Sequence, residues 1–326
     1  MTIKVAIVGA GRRGNVHADA VADLEGIAQV AGVVDVDAGR ARQLIGTSAP
    51  HAQPYADMAA MLRAVEPQIV YITTPPPLHK EQALAAFAAG ANVVIEKPIA
   101  LSVAEAEAIG EAAERAGRLV HICHQMRYNE GMPEMQALLS GQPVALTHIW
   151  NYRMGPDIPG NWNRAWGGGH VVEWGIHYLD VCRAVMQTEA VEVYARYTDQ
   201  VLRGQPTWDN WDGYSLTVQW ANGAVGSYAS TYALKPGIAG ASGLTLIAAE
   251  GQATFSWDGS TWITPEGEQH WGAGPRSGER GLARAFAQAT AGDPSGIKQT
   301  YADAMKTHRL VIAANESAIT GKPIKL

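Results

Sequence analysis

The fold of this chain is decided near its start, where the sequence reads Ile3-Lys4-Val5-Ala6-Ile7-Val8-Gly9-Ala10-Gly11-Arg12-Arg13-Gly14. An apolar strand runs into a glycine-rich turn, and a helical pattern follows. In such a turn the first glycine permits the bend, the second admits a pyrophosphate, and the third lets helix and strand pack closely. Asp35 stands at the spacing expected for a carboxylate that binds ribose hydroxyls. The segment therefore predicts a dinucleotide-binding βαβ unit.

Asp35 also bears on which dinucleotide would bind. A carboxylate at this position favours NAD, because it repels the 2′-phosphate of NADP. Arg12, Arg13, Arg40 and Arg42 leave NADP open as the alternative, since an arginine can hold such a phosphate.

The N-terminal part of the chain alternates apolar runs with helical patterns. This alternation indicates a doubly wound parallel sheet covered on both faces, and we expect a Rossmann domain over residues 1–122. The predicted strands are 3–8, 28–34, 69–72, 92–96 and 119–122, and the predicted helices are 14–23, 38–44, 57–65, 79–89 and 103–116.

The rest of the chain has a different pattern. Several β-like runs, some joined by turn dipeptides such as Asn222-Gly223, predict a large, mostly antiparallel open sheet. We expect an α+β domain over 123–326, whose last helix either stays with it or packs back on the first domain. The predicted strands are 144–152, 191–197, 214–220, 224–231, 244–249, 253–257 and 262–264, and the helices are 131–139, 171–186, 278–291 and 300–320.

Composition narrows the functional classes. The net charge of −6 argues against nucleic acid as a partner, and no apolar run approaches the length of a membrane span. The two cysteines, Cys123 and Cys182, lie in apolar runs and predict buried thiols in a reducing compartment, so we expect a cytoplasmic protein with no leader segment. The histidines lack metal-ligand spacing, so no metal is expected.

Two motifs carry the chemistry. Gly167-Gly168-Gly169 precedes Glu173, His177 and Asp180, whose spacing stacks them along one helix face. His177 is the candidate general base and Glu173 the group that orients it, whereas Asp180 either binds a substrate hydroxyl or supports the helix.

The second motif is Glu96-Lys97-Pro98, at the end of the predicted fifth strand. The Lys97 ammonium is a candidate to hold the reacting hydroxyl and to stabilise negative charge on its oxygen. The ordinary interpretations are a solvated Glu–Lys pair here and a core histidine at position 177. We expect instead that Lys97 and His177 act on one substrate.

These motifs, in this order, resemble one family, the Gfo/Idh/MocA oxidoreductases. The similar features are the glycine turn with His17, Thr74-Pro75 with His79, the Glu96-Lys97-Pro98 signature, the segment 167–177, and Asn315-Glu316-Ser317-Ala318 near the end. The resemblance implies a Rossmann domain with an α+β domain, a nicotinamide cofactor, a sugar or cyclitol substrate, and homodimers or homotetramers built through the open sheet. Many members carry Asp where this chain has Glu173, so inositol specificity does not transfer directly.

The candidate site residues follow from the motifs and the resemblance together. Arg127, Arg153, Trp162 and Trp166 are included because of their positions in or beside loops, where binding residues concentrate. We assign Lys97, His177 and Glu173 to catalysis. The cofactor set is Gly9, Gly11, Arg12, Arg13, Gly14, Asp35, Thr73, Thr74, Pro75, His79, Glu96, Lys97 and Gln125, and the substrate set is Lys97, Arg127, Arg153, Trp162, Trp166, Glu173, His177 and Asp180.

Three functions are compatible with these residues. The leading one is an NAD(P)-dependent oxidoreductase that acts on a secondary alcohol of a sugar, sugar derivative or cyclitol. The alternative is an NAD-dependent glycosidase or lyase that uses transient oxidation. A non-catalytic NAD-binding regulator is less favoured, because such a protein has no need of Lys97 and His177. The ten tryptophans, against three phenylalanines, are suited to the faces of sugars, or equally to core and interface packing.

Overall fold

The computed structural model describes residues 2–155 and 159–326. The chain divides into two units, and one combines Met1–Tyr128 with Arg276–Asp303. The other combines Asn129–Pro275 with Ala304–Leu326. The sequence put the boundary at 122, whereas this division comes after Tyr128 and returns the segment Arg276–Asp303 to the first unit. Most of the last helix belongs to the second unit.

The first unit contains a parallel sheet of six strands in the order β3-β2-β1-β4-β5-β6, which confirms the predicted Rossmann fold. Its strands are nearly all buried because helices cover both faces. The strands are β1 (Ile3–Val8), β2 (Ala28–Val34), β3 (Gln53–Tyr55), β4 (Ile69–Ile72), β5 (Asn92–Ile95) and β6 (Val120–Ile122). The three-residue β3 was not predicted, since it lacks an apolar run.

The helices of this unit include one from the distant segment. Leu282 and Phe286 of that helix, α9, lie in the same hydrophobic core as Ile7 and Val33. This shared core explains why a late segment belongs to the N-terminal unit. The helices are α1 (Arg12–Ala22), α2 (Ala38–Ser48), α3 (Met58–Val65), α4 (His79–Ala88), α5 (Val103–Ala116) and α9 (Ser277–Thr290).

The second unit is built on a nine-stranded sheet in the order β14-β13-β12-β11-β7-β10-β9-β8-β15. All neighbouring strands are antiparallel except β7 and β10, which confirms the predicted mostly antiparallel sheet. The strands are β7 (Val144–Tyr152), β8 (Ala190–Thr198), β9 (Gly213–Trp220), β10 (Val225–Thr231), β11 (Ala241–Ala248), β12 (Gln252–Ser256), β13 (Gly259–Thr264), β14 (Gly267–Gly272) and β15 (Ile324–Lys325).

One helix of the second unit is wholly internal. Every residue of α8 (Ile176–Met186) is buried, so its side chains face neighbours in all directions. A π-helical turn over Val171–Gly175 precedes it, where the sequence predicted a continuous α-helix. The remaining helices are α6 (Met132–Leu139), α7 (Arg164–Gly167) and α10 (Tyr301–Thr320).

The sheet of the second unit has an outer face, defined here by the row Val225, Leu146, Ile247, Gln252 and Ile263 across β10, β7, β11, β12 and β13. Residues directly opposite one another on neighbouring strands point to the same side. The four apolar members of the row are exposed, whereas the alternate residues of these strands are buried. In the part of the chain that the structure describes, no helix combines the length and hydrophobicity of a transmembrane span.

Candidate active site

The glycine-rich turn of the first unit is shaped by close packing. Gly9 has a φ of +101°, and a Cβ on it would lie 3.0 Å from Thr73. The Thr73 hydroxyl donates to the Gly9 carbonyl oxygen at 2.6 Å. A Cβ on Gly14 would come within 2.0 Å of that same oxygen, whereas one on Gly11 would meet nothing within 4 Å. The turn is therefore closed towards the sheet and open beside Gly11, which fits a pyrophosphate at the start of α1.

Asp35 directly follows β2, beside this turn. Its carboxylate accepts hydrogen bonds from the backbone N–H of Ala10 at 2.7 Å and of Asp37 at 2.8 Å. Val36 is 98% exposed, and Asp37 caps α2 by accepting from Gly39 N. Asp37 also pairs with Arg40, whose Nε lies 3.6 Å from its carboxylate, so Asp35 is the group that fits ribose hydroxyls better than a 2′-phosphate.

His79 joins two segments at the carboxyl edge of the parallel sheet. Its Nε2 lies 2.8 Å from the Thr74 carbonyl oxygen and its Nδ1 lies 3.1 Å from that of Pro98. Burial lowers the pKa of His79, so the ring is neutral and donates to one of these oxygens at a time. Because the side chain has no exposed surface, we interpret His79 as a support for the site and not as a direct cofactor contact.

Glu96 is the centre of a buried ionic cluster. Its Oε1 accepts from Arg13 Nε at 2.6 Å and from His17 Nε2 at 2.7 Å. Burial alone would raise the pKa of Glu96, but the Arg13 charge, the His17 hydrogen bond and the Lys97 charge together hold it well below its usual value. Glu96 is therefore an anion in the folded protein.

Arg13 is committed to the same cluster. Its Nη1 also lies 3.1 Å from the Glu279 carboxylate of α9. The Glu96 and Glu279 carboxylates thus compensate the Arg13 charge. The sequence predicted that Arg13 binds the cofactor, and we now interpret Arg13 as linking the glycine turn to Glu96.

Lys97 directly follows the buried Glu96 at the end of β5. Its backbone N–H donates to Glu96 Oε2 at 3.2 Å, and the Lys97–Pro98 peptide bond is cis. The side chain is partly buried. The backbone around Lys97 is therefore fixed by the cluster on one side and by His79, through Pro98, on the other.

Arg127, predicted to contact substrate, has a partner within its own unit. Its Nη1 pairs with Asp303 Oδ2 at 2.7 Å, and only 9% of the side chain is exposed. A structural ion pair describes this residue better than a substrate contact does.

His177 is the second residue of α8 and is surrounded by rings. Its imidazole is nearly perpendicular to Trp257, with centroids 5.2 Å apart, and a wider edge contact of 6.4 Å joins it to Trp174. Trp174 and Trp257 also meet edge to face, at 5.4 Å. We call Trp174, Trp257 and His177 the aromatic cluster. An imidazole in such a setting is kept away from bulk water.

Glu173 and Asp180 have neighbours of their own. Glu173, in the π-helical turn, accepts a hydrogen bond from the Tyr232 hydroxyl. Burial and the nearby Glu173 charge raise the pKa of Tyr232 well above its usual value, so Tyr232 remains a donor. Asp180 accepts from Thr307 Oγ1 at 2.7 Å and is 1% exposed. Of the two roles open to Asp180, support of the helix fits this burial.

The candidate substrate residues of the loop before α8 differ in setting. The Arg153 guanidinium lies over the Trp174 ring at 4.4 Å, beside the aromatic cluster. Trp162 meets Trp208 edge to face at 6.1 Å. Trp166 is 44% exposed. Residues 156–158 of the same predicted loop lie outside the described residues.

Trp257 and Tyr232 are the site residues that sequence reasoning missed. Trp257 begins the β12–β13 hairpin connection and Tyr232 follows β10, and both are distant from His177 in sequence. The abundance of tryptophan was a general signal for Trp257, and no sequence signal pointed to Tyr232.

One group of potential metal ligands exists among the described residues. His17, Glu96 and Cys123 have ligand atoms within 4.8 Å of one another. Arg13 pairs with the same carboxylate, and burial raises the pKa of Cys123 well above its usual value, so the group carries a guanidinium and a protonated thiol. Both features oppose a cation. The absence of a metal stays a prediction.

Comparison with known proteins places this geometry in context. Residues 3–124 match the family model described as "Oxidoreductase family, NAD-binding Rossmann fold", and residues 136–254 match the "GFO/IDH/MocA C-terminal domain". An inositol 2-dehydrogenase of Klebsiella pneumoniae (strain 342) is 28% identical over 207 residues, which are 60% of this chain and 58% of that protein. The chain thus spans less than two thirds of this relative's length.

Solved structures agree on the fold. GenD2 from gentamicin A biosynthesis, in complex with NAD, has a TM-score of 0.84 at 21% identity and covers 100% of this chain and 96% of its own. Levoglucosan dehydrogenase in complex with NADH has a TM-score of 0.85 at 18% identity and covers 100% and 99%. The two matched segments account for most of the sequence, in the order typical of one family. The chain therefore belongs to the GFO/IDH/MocA oxidoreductase family.

Proposed function

We propose that this protein is an NAD-dependent dehydrogenase that oxidises a secondary alcohol of a sugar, sugar derivative or cyclitol. Two observations carry the proposal: one unit holds an open glycine turn with Asp35, and the other holds a His177 enclosed by aromatic rings. The names of the relatives, inositol 2-dehydrogenase and levoglucosan dehydrogenase, agree with this substrate class.

The first unit supplies the residues that would hold the cofactor. The backbone around Gly11 and the start of α1 would bind the pyrophosphate, and the Asp35 carboxylate would accept from ribose hydroxyls. When NAD is bound, it supplies the acceptor for the substrate hydride. NADP is disfavoured, because Asp35 would repel its additional phosphate.

His177 would act as the general base. Alcohol oxidation requires a proton to leave the hydroxyl as the hydride leaves the carbon, and imidazole titrates near neutral pH. The aromatic cluster limits water around the ring, so a proton on His177 would exchange chiefly with the bound substrate. Glu173 would add negative charge in this region and stabilise the protonated imidazole.

Lys97 would hold the oxygen that reacts. An ammonium that donates to this oxygen favours the developing alkoxide over the alcohol, which lowers the barrier to hydride loss. The neighbouring Glu96 anion attracts the Lys97 charge, which also contributes to the low pKa of Glu96. Lys97 and His177 are thus proposed to act on the same hydroxyl group during turnover.

The aromatic side chains support a carbohydrate ring as substrate. Indole faces suit the C–H surfaces of sugars and cyclitols, and Trp174 and Trp257 flank the proposed base. Trp166 and Trp162, in the preceding loop, are further candidates for this role.

The outer face of the second unit supports a homo-oligomer. Val225, Leu146, Ile247 and Ile263 form an exposed row across strands that is unusually apolar for a solvent-facing sheet. We propose that a second copy of the chain covers it, giving a homodimer or homotetramer. A cytoplasmic location is proposed with it, since both cysteines are buried free thiols.

A dehydrogenase screen tests the proposed function. The purified protein is mixed with NAD or NADP and a panel of sugars, sugar acids, cyclitols and glycosides, and NADH absorbance is followed beside product release. We expect NADH to accumulate with at least one polyol and faster with NAD than with NADP. Release of an aglycone without NADH would favour the glycosidase alternative. No turnover together with no NAD binding would reject both.

A further inference from the structure

The segment that follows β6 is anchored by its polar side chains. His124 Nδ1 lies 2.8 Å from Gln299 Oε1, and Arg127 pairs with Asp303. Gln299 lies just before α10 and Asp303 lies in its first turn, and both belong to the same unit. These two side chains therefore serve to hold the segment in place.

Tyr128, at the end of this segment, is held in the same way. Its hydroxyl accepts from the Lys298 backbone N–H at 3.2 Å and lies 3.0 Å from His121 Nε2. Burial raises the pKa of Tyr128 to about 12, so the hydroxyl remains protonated. Like Arg127 and His124, it is committed to contacts inside the unit.

Gln125 differs from these neighbours. The residue is 6% exposed, and its Oε1 is buried without a hydrogen-bond partner among the residues that the structure describes. A buried carbonyl oxygen of this kind costs free energy unless a ligand or water satisfies it. Its setting thus points to a group that arrives from outside the chain.

The position of Gln125 indicates what that group is. Ile122 pairs with Ile95 in the parallel ladder, and Cys123 N donates to the Ile95 carbonyl oxygen at 2.9 Å. Gln125 therefore comes just beyond the carboxyl ends of β5 and β6, at the same edge as Lys97. In sheets of this strand order, ligands bind outside the carboxyl ends, with the second mononucleotide half served by β4, β5 and β6.

We propose that the Gln125 amide binds the carboxamide of the nicotinamide ring and thereby selects which ring face is offered to substrate. This inference rests on the proposed NAD-dependent function. A carboxamide N–H donates to Gln125 Oε1 and satisfies the buried oxygen. Because the carboxamide is the substituent that breaks the ring's symmetry, an acceptor fixed beside it permits one orientation of the ring.

A ligand pair that differs only in this group tests the proposal. Calorimetry gives the Kd of NAD and of its 3-acetylpyridine analogue, in which a methyl group replaces the carboxamide nitrogen. The wild type should bind NAD more tightly than the analogue by roughly fivefold, the effect of one hydrogen bond. Gln125→Met should weaken NAD binding by that factor and bind the two ligands equally. Gln125→Glu, which keeps an acceptor oxygen, should retain a preference for NAD.

A matched control separates ligand binding from folding. Gln68→Met removes an amide at the opposite, amino edge of the same sheet, where Gln68 precedes β4 and accepts from the Lys4 backbone N–H, and it should leave the NAD-to-analogue ratio at the wild-type value. Three results would overturn the inference. Gln125→Met could weaken the binding of both ligands equally, or it could leave NAD binding unchanged. The wild type could also bind NAD and the analogue with the same Kd. A wild type that binds neither ligand would overturn the proposed function too. If Gln125→Met lost the preference for NAD but the wild type oxidised no polyol, the inference about Gln125 would stand and only the proposed function would fail.

Discussion

Lys97 and His177 are held by two contrasting kinds of surroundings. Lys97 follows a buried anion whose charge is shared by Arg13 and His17. His177 stands among indole rings. A cation is stabilised by a nearby anion, whereas the rings around His177 hold the imidazole in place and limit its contact with water. The first unit therefore surrounds Lys97 with charged groups, whereas the second surrounds His177 with aromatic rings.

The largest effect is expected at the base itself. His177→Ala should lower kcat by roughly 10³-fold, since no other group is assigned to remove the proton. The Kd for NAD should change little, because His177 belongs to the other unit from the dinucleotide turn. Steady-state kinetics and calorimetry measure the two quantities.

His270→Ala is the matched control for His177. His270 lies on the exposed strand β14, where it contacts Thr261, and its removal should leave kcat unchanged. If His177→Ala kept wild-type turnover, His177 would have no role in the mechanism, and its comparison with Lys97 would no longer apply.

Glu96→Gln tests the ionic side of the comparison through stability. Removing the charge leaves the buried Arg13 with less compensation, and we expect the free energy of unfolding to fall by about 3 kcal/mol. The pKa of Glu96 is depressed in the folded state, so its contribution is present above its ordinary value of 4.5 and is lost as pH falls further.

Urea unfolding from pH 7 down to pH 3 checks this prediction. The wild type should lose stability below about pH 4.5, and Glu96→Gln should show a shallower loss over that range. Glu111→Gln, in a largely exposed pair with Arg115, should unfold like the wild type. Parallel pH profiles for wild type and Glu96→Gln would disprove the depressed pKa.

Lys97→Met is expected to lower kcat by roughly 10²-fold, the cost of one donor to a developing oxyanion. The variant keeps the length and apolar stem of the side chain, so thermal stability should hardly change. Lys80→Met, in an exposed pair with Glu105, should keep wild-type kcat. A change in KM alone would reduce Lys97 to a binding residue.

Trp257→Leu should have the smallest effect and sharpens the aromatic side of the comparison. Loss of the ring beside His177 should lower kcat/KM by about tenfold, while NAD binding is retained. Trp271→Leu, on the partly exposed strand β14, serves as the control and should match the wild type. Equal losses in both variants would indicate a general requirement for tryptophan packing.

Much of the first unit could be predicted from the sequence. The bounds of β1, β2 and β4 agree with the predicted ones, because strands covered on both faces are continuous apolar runs. The short strands β3, β14 and β15 escaped prediction, since none of their residues is buried. The π-helical turn at Val171–Gly175 escaped too, because its side-chain spacing is close to that of an α-helix.

For the candidate site, the sequence located motifs but could not pair side chains. It identified Glu96, Lys97 and His177, yet it assigned Arg13 and Arg127 to ligands although both form ion pairs inside the first unit. It overlooked Trp257, whose ring meets His177 from a distant hairpin. Spacing in the sequence indicates which residues share a helix or strand. It does not indicate which side chains from other helices and strands contact them.

The sequence by itself determined the alternation of strands and helices in the first unit, the glycine turn with Asp35, and the family to which the chain belongs. These depend on short-range rules of backbone shape and hydrophobic pattern. Only the tertiary structure decided that α9 joins the N-terminal core, that Glu96 is an anion shared by two partners, and that indole rings enclose His177. Burial and charge compensation arise from residues far apart in the chain, so they appear only once the chain has folded.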